Sequence, residues 1–193
     1  MQKTMKTIVV TLLLVLGYNN AQAAKNFDVA VAKNQILMVE LNDAQEGDML
    51  TLLDVDGKVL FKEEQLGNKF QKSLSLELLS EGTYYLHLED ANTIYTKEIV
   101  KENSSVIVKK DSQIIFKPTF KQVENQVKLS FTNPSEENTQ VFVYNAKGEI
   151  VSSLRNSDLV LKKTFDFSEV PAGDYMIAVL TDSRSFYKSV STK

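Results

Sequence analysis

Cysteine is absent from the 193 residues of the chain. That excludes disulfide bonds, thiolate zinc sites and cysteine nucleophiles. A single histidine is present, so no site can be built from two imidazoles. The seven glycines never come closer than ten residues to one another, and a phosphate-cradling loop cannot be assembled from them. No block of basic residues exists: 22 Lys and Arg face 25 Asp and Glu, a net charge of −3. A mildly acidic chain of this kind is a poor nucleic-acid binder. Its carboxylates are scattered through turns, with no pair set out as general acid and base. Catalytic residues, metal ligands and cofactor-binding residues are therefore all expected to be lacking.

What is present begins at the N-terminus. Lys3 and Lys6 precede an apolar run of nine residues, 8–16, and Gly17 to Asn20 then break it before Ala21-Gln22-Ala23. Positive charge, a short apolar helix and small residues at −3 and −1 are what a signal peptidase needs, so 1–23 reads as a cleaved signal peptide with Ala24 the first mature residue. A membrane span needs ~20 apolar residues, far more than this run offers. No second long apolar run follows. The expectation is an exported protein, in the periplasm, on the cell surface or outside the cell, without a membrane span. Once the two leader lysines are removed, 20 basic and 25 acidic side chains remain, a net of −5.

A shift of 91 residues aligns 34–98 with 125–189 without a gap. Among the identical pairs are Asn34/Asn125, Gln35/Gln126, Asn42/Asn133, Gly57/Gly148, Gly82/Gly173 and Tyr84/Tyr175. The apolar phase agrees too: Leu50 and Leu52 match Val141 and Val143, while Leu86 and Leu88 match Ile177 and Val179. This is one unit written twice. Each copy alternates apolar and polar residues over short runs, which predicts strands. In the second copy they fall near 126–132, 138–145, 149–154, 160–167, 174–181 and 184–190, with an edge strand somewhere in 112–122. The first copy has equivalents, preceded by 27–32. The predicted fold is all-β, two tandem immunoglobulin or fibronectin III-like antiparallel sandwiches, over 24–101 and 112–193. The polar-flanked stretch 102–111 is a linker or a shared edge strand. One conflict stands inside the alignment: Glu40 occupies the phase of the apolar Phe131, which implies a bulge or a register flip.

Asp54-Val55-Asp56-Gly57 invites a calcium reading, but a calcium loop needs five or more spaced oxygen ligands. The second copy reads Asn145-Ala146-Lys147-Gly148 at the same place, and a hairpin turn closed by Gly57 and Gly148 accounts for both. Gly82 before Tyr84, and Gly173 before Tyr175, look like the corner of a sandwich in which a buried tyrosine caps nearby backbone. His87 falls on the outward phase and reads as a surface residue. Tyr85, Tyr95, Phe186 and Tyr187 are a candidate exposed aromatic strip for protein or glycan contact, with packing within or between the sandwiches as the alternative.

The run VFVYNAKGEIV over 141–151, then FDFSEVPAGDY over 165–175, then a strand and the final Lys193, resembles the C-terminal sorting domains of type IX secretion in Bacteroidota. That resemblance implies a β-sandwich tail recognised by a translocon and commonly cleaved when cargo is attached or released. The aromatic-Pro-Asn-Pro start of that family is reduced here to Phe116-Lys117-Pro118, with Asn133-Pro134 later. Three roles follow. The first is a non-enzymatic tandem interaction module at the cell envelope or surface, engaging a protein or envelope partner by strand addition near Val106 to Val108 or Ile114 to Phe116. The second is a targeting element in which the C-terminal copy is the signal. The third is a carbohydrate-binding module using Tyr85 and Tyr187.

Overall fold

The computed structural model describes residues 25–33 and 35–192; the predicted signal peptide lies outside them. Every regular element among these residues is a strand. In the first half these are β1 (Asn26–Lys33), β2 (Ile36–Asn42), β3 (Met49–Asp54), β4 (Val59–Glu63), β5 (Lys69–Ser75), β6 (Gly82–Glu89), β7 (Thr93–Glu102) and β8 (Ser105–Phe116). The second half has β9 (Thr119–Val123), β10 (Gln126–Thr132), β11 (Thr139–Asn145), β12 (Ile150–Asn156), β13 (Val160–Asp166), β14 (Gly173–Leu180) and β15 (Ser185–Thr192). All pairings are antiparallel. Sheets β1-β2-β5 and β4-β3-β6-β7-β8 form the first sandwich, while β9-β10-β13 and β12-β11-β14-β15 form the second.

Period-two patterning decides which side chains go inside. On β2, Leu37, Val39 and Leu41 are at most 2% exposed while Ile36, Glu40 and Asn42 face solvent. On β10, Val127, Leu129 and Phe131 alternate in the same way and are at most 5% exposed. Two separate cores result, one around Leu50, Leu76, Leu86 and Ile99, the other around Val141, Val143, Ile177 and Val179. Each fully buried aliphatic contributes about 1.5–3 kcal/mol, and with no disulfide this burial is the main force holding each sandwich closed.

The conflict at Glu40 resolves as an offset. Leu37 pairs with Leu74, and Val127 pairs with Phe165; Leu74 and Phe165 are 91 apart, but Leu37 and Val127 are 90 apart. Leu41, not Glu40, therefore fills the place of Phe131. The difference is recovered before Leu50 and Val141, because the path from Phe131 to Val141 holds one residue more than the path from Leu41 to Leu50. The identities Gln35/Gln126 and Asn42/Asn133 are thus not structural equivalents. Neither a bulge within β2 nor a flipped face is needed, because β2 pairs with β5 without a register break.

The stretch 102–111 enters β8, a single strand that continues to Phe116 in the sheet of the first sandwich. Its first half seals that core with Val106 and Val108. Between Ile99↔Val108 and Lys97↔Ser112 the register jumps, so Lys109, Lys110 and Asp111 lie opposite Glu98 alone. The region 112–122 thus holds the end of β8 and the start of β9, which belong to different sandwiches. Lys117 and Pro118 alone connect them. Lys117 is fixed there: its N–H donates to the Asn92 carbonyl at 2.7 Å, and Nζ donates to Glu89 Oε1 and the Asp90 carbonyl, each at 2.8 Å.

Candidate functional site

The Asp54 loop is a turn that consumes its own carboxylate. Asp54 Oδ1 accepts the N–H groups of Asp56 at 3.1 Å and Lys58 at 2.9 Å. Asn145 Oδ1 does the same for Lys147 and Glu149 in the second copy. Gly57 and Gly148 sit at φ of +80° and +79°, a backbone region open to glycine and costly for most other residues. Among the described residues no group of three His, Cys, Asp or Glu side chains is placed to hold a metal ion.

The two corners superimpose chemically. Tyr84 is buried, and its hydroxyl donates to the Ser80 carbonyl at 2.7 Å; Tyr175 is buried, and its hydroxyl donates to the Pro171 carbonyl at 2.7 Å. Burial, with a smaller contribution from the Asp54 carboxylate, raises the Tyr84 phenol above its ordinary pKa, which keeps it neutral and a donor. Tyr175 also packs against Phe167, with ring centres 5.1 Å apart.

The four aromatics do not meet in one surface. Tyr95 packs against the first core and Phe186 against the second, where its ring lies 6.2 Å from Phe131. Tyr85 stands half-buried on the outer face of β6, whereas Tyr187 is 62% exposed on β15 of the other sandwich. His87 is half-buried rather than a free surface side chain. Burial, then the neighbouring Arg184 guanidinium, lower its pKa against a weaker opposing effect of Glu89. Arg184 belongs to the second sandwich, so this pair reports on where the two units approach. Nearby, Ile114 to Phe116 of β8 and Asn133, Pro134, Arg184 and Phe186 line a crevice of about 350 Å³.

The edges differ between the copies in a way the sequence alignment did not bring out. β4, an edge of the first sandwich, is guarded by charge: Lys62 pairs with Glu64 at 2.5 Å, Lys72 pairs with Glu63 at 3.7 Å, and the Lys72 ammonium lies 5.5 Å from the centre of the Phe61 ring. Its counterpart β12 carries no charge from Ile150 to Leu154, and Ile150 and Val151 are 56% and 49% exposed. Between β12 and β13 opens a cavity of about 270 Å³ lined by Val143, Val151, Phe165, Phe167, Val170 and Tyr175, with Ser152, Lys163, Thr164 and Asp166 completing it. The signal for this site was the absence of charge from 150 to 154, visible only when that segment is set beside β4.

No curated protein matches the chain. Among solved structures it is similar to the BSP domain of a biofilm-associated protein (TM-score 0.31, 11% identity, 86% of this chain and 29% of that one). It is also similar to the human OSCAR ligand-binding domain (TM-score 0.26, 9% identity, 86% and 97%) and to the central fibronectin-III array of RIM-binding protein (TM-score 0.26, 12% identity, 87% and 67%). The chain spans under a third of the first of these. No described helix is long and apolar enough to cross a membrane. A family model described as the secretion system C-terminal sorting domain matches twice, over residues 32–102 and 123–193. The chain therefore belongs to the type IX secretion C-terminal sorting-domain family, and it carries that domain in two tandem copies.

Proposed function

We propose that the chain is an exported, non-catalytic recognition protein whose second sandwich is engaged by a protein partner through the edge of β12. Membership of a sorting-domain family implies a secreted or cell-surface protein, and the corners and turns of both copies serve folding rather than chemistry. The observation that carries the reading is the contrast between the edges. β4 is blunted by lysine and glutamate, as soluble proteins commonly blunt an edge. β12 is uncharged and mostly exposed from Ile150 to Leu154, with Arg155 beyond, and it borders a cavity whose walls are largely apolar. A strand added there would gain main-chain hydrogen bonds from the edge and a side-chain pocket from the cavity. The outer edge of β8 is less suited, because Lys109, Lys110 and Asp111 interrupt it with an irregular, charged segment.

Placing lysine at Ile150 and Ser153 tests this directly. Both side chains are exposed, so the fold is expected to persist, while export to the surface or medium falls. Unchanged export of the doubly substituted protein would overturn the β12 reading. Intact mass of the native protein in periplasmic, surface and medium fractions separates the two roles of the second copy. A mass equal to residues 24–193 means both sandwiches are the working protein; loss of the second copy means it is a sorting tail.

A further inference from the structure

The first sandwich shows what the β12 edge lacks. At a shift of 91 residues, Leu60, Phe61, Glu63, Lys72 and Leu79 correspond to Val151, Ser152, Leu154, Lys163 and Val170. Strand pairing agrees: Phe61 lies opposite Leu52 and Glu63 opposite Leu50, as Ser152 lies opposite Val143 and Leu154 opposite Val141. In the first copy Leu60, Phe61 and Leu79 pack against the core. Lys72 reaches from β5 across the gap between the sheets, to Glu63 at 3.7 Å and over the Phe61 ring. In the second copy all three apolar side chains have smaller counterparts, and Val151, Ser152 and Val170 line the cavity instead. Lys163 lines it too, but the carboxylate and the ring that hold its counterpart are gone. Among the described residues it takes part in no ion pair. The carboxylates on β13 and the loop before it are engaged elsewhere. Asp166, on the opposite face of the strand, accepts from Ser168 and Gln126, and Asp158 accepts from Asn156. Arg155 adds a second positive charge at this edge, where the first copy has Glu64.

We propose that the strand added at β12 carries an aromatic side chain and a carboxylate two residues apart, returning to the second copy what Phe61 and Glu63 give the first. This rests on the β12 reading and names the chemistry of the strand it takes. Residues two apart share one face of a strand, so both side chains point into the gap between β12 and β13. There the ring covers the cavity and keeps water from its apolar walls, while the carboxylate meets Lys163. Exposed ion pairs contribute little affinity by themselves, which makes the ring the anchor and the carboxylate the selector. A strand with a basic residue in that place would meet Lys163 as a like charge and be rejected.

A synthetic peptide of residues 57–65, GKVLFKEEQ, is the probe, because it holds Phe61 and Glu63 at the required spacing. Titrated into the full chain and followed by amide NMR shifts, it is expected to perturb β12 and β13. The Phe61→Ala peptide is expected to bind about tenfold more weakly, and the Glu63→Gln peptide about threefold more weakly. Lys163 is exposed, so Lys163→Gln in the chain is expected to leave the fold intact, which melting checks. That variant should weaken the parent peptide about threefold and leave the Glu63→Gln peptide unaffected. Binding at β12 that ignores the ring or the carboxylate, or a Lys163→Gln chain that still tells Glu63 from glutamine, would overturn this inference and leave the β12 reading standing. Absent binding, or shifts confined to other strands, would overturn it as well. Export of the chain with lysine at Ile150 and Ser153 then decides the β12 reading separately.

Discussion

At the residue scale, the tyrosine corner has the most direct cause and effect. In each copy a buried tyrosine reaches back four residues and donates to a backbone carbonyl. Tyr84→Phe and Tyr175→Phe keep the ring and delete one hydrogen bond, so each is expected to cost about 1 kcal/mol. Thermal or denaturant unfolding of the two single variants measures this. A loss in one copy without a loss in the other would show that the corners are not equivalent. The corner was legible beforehand because a glycine and an inward-phase tyrosine recur 91 residues apart. The tie at Lys25 was not. Its ammonium pairs with the carboxylate of Asp48, which also accepts the Gln45 N–H at 2.7 Å, and with Asp90 at 3.8 Å. These groups are 23 and 65 residues from Lys25, and nothing in local pattern connects them.

At the element scale, that tie determines how β1 is held. Asp48 is 3% exposed, so truncating it leaves the Lys25 ammonium poorly compensated in a protected site. Asp48→Ala is expected to destabilise the first sandwich by about 3 kcal/mol, and amide exchange should show the loss concentrated in β1 and its neighbour β2. Exchange that rises evenly across the sandwich would contradict a local anchor. Period-two alternation placed the strands and the inward side chains within a residue or two, because alternation is a direct consequence of burying one face of a sheet. It could not place β8. A strand that is charged in the middle looks like a linker, and only its pairing with β7 shows that 105–116 is one element. Of the aromatic strip, Tyr95 and Phe186 turn inward against the two cores, while Tyr85 and Tyr187 sit on strands of different sandwiches.

At the scale of the whole molecule, His87 reports on how the two units lie together. Its folded pKa lies below the ordinary histidine value, from burial first and from Arg184 second. A lowered pKa means the unfolded chain takes up the proton more readily, so this group's contribution is complete above about pH 6.5 and is lost as pH falls through the folded value. Arg184→Gln removes the smaller cause across the junction. The His87 titration followed by NMR should then move upward while staying below the ordinary value. An unmoved titration would place Arg184 away from His87 in solution. The junction itself is two residues long, with Lys117 held by Glu89 and the backbone at Asp90 and Asn92, so it leaves little slack for either sandwich to turn.

Tandem near-duplicates face a hazard that single domains escape, because a strand from one copy can fold into the other. The one-residue offset bears on this. Were β2 and β3 to take the places of β10 and β11, the path from Leu41 to Leu50 would be one residue short of the path from Phe131 to Val141. The exchange would have to stretch a turn or pull a core residue out of phase. A difference of one residue between core positions is thus expected to work against such an exchange.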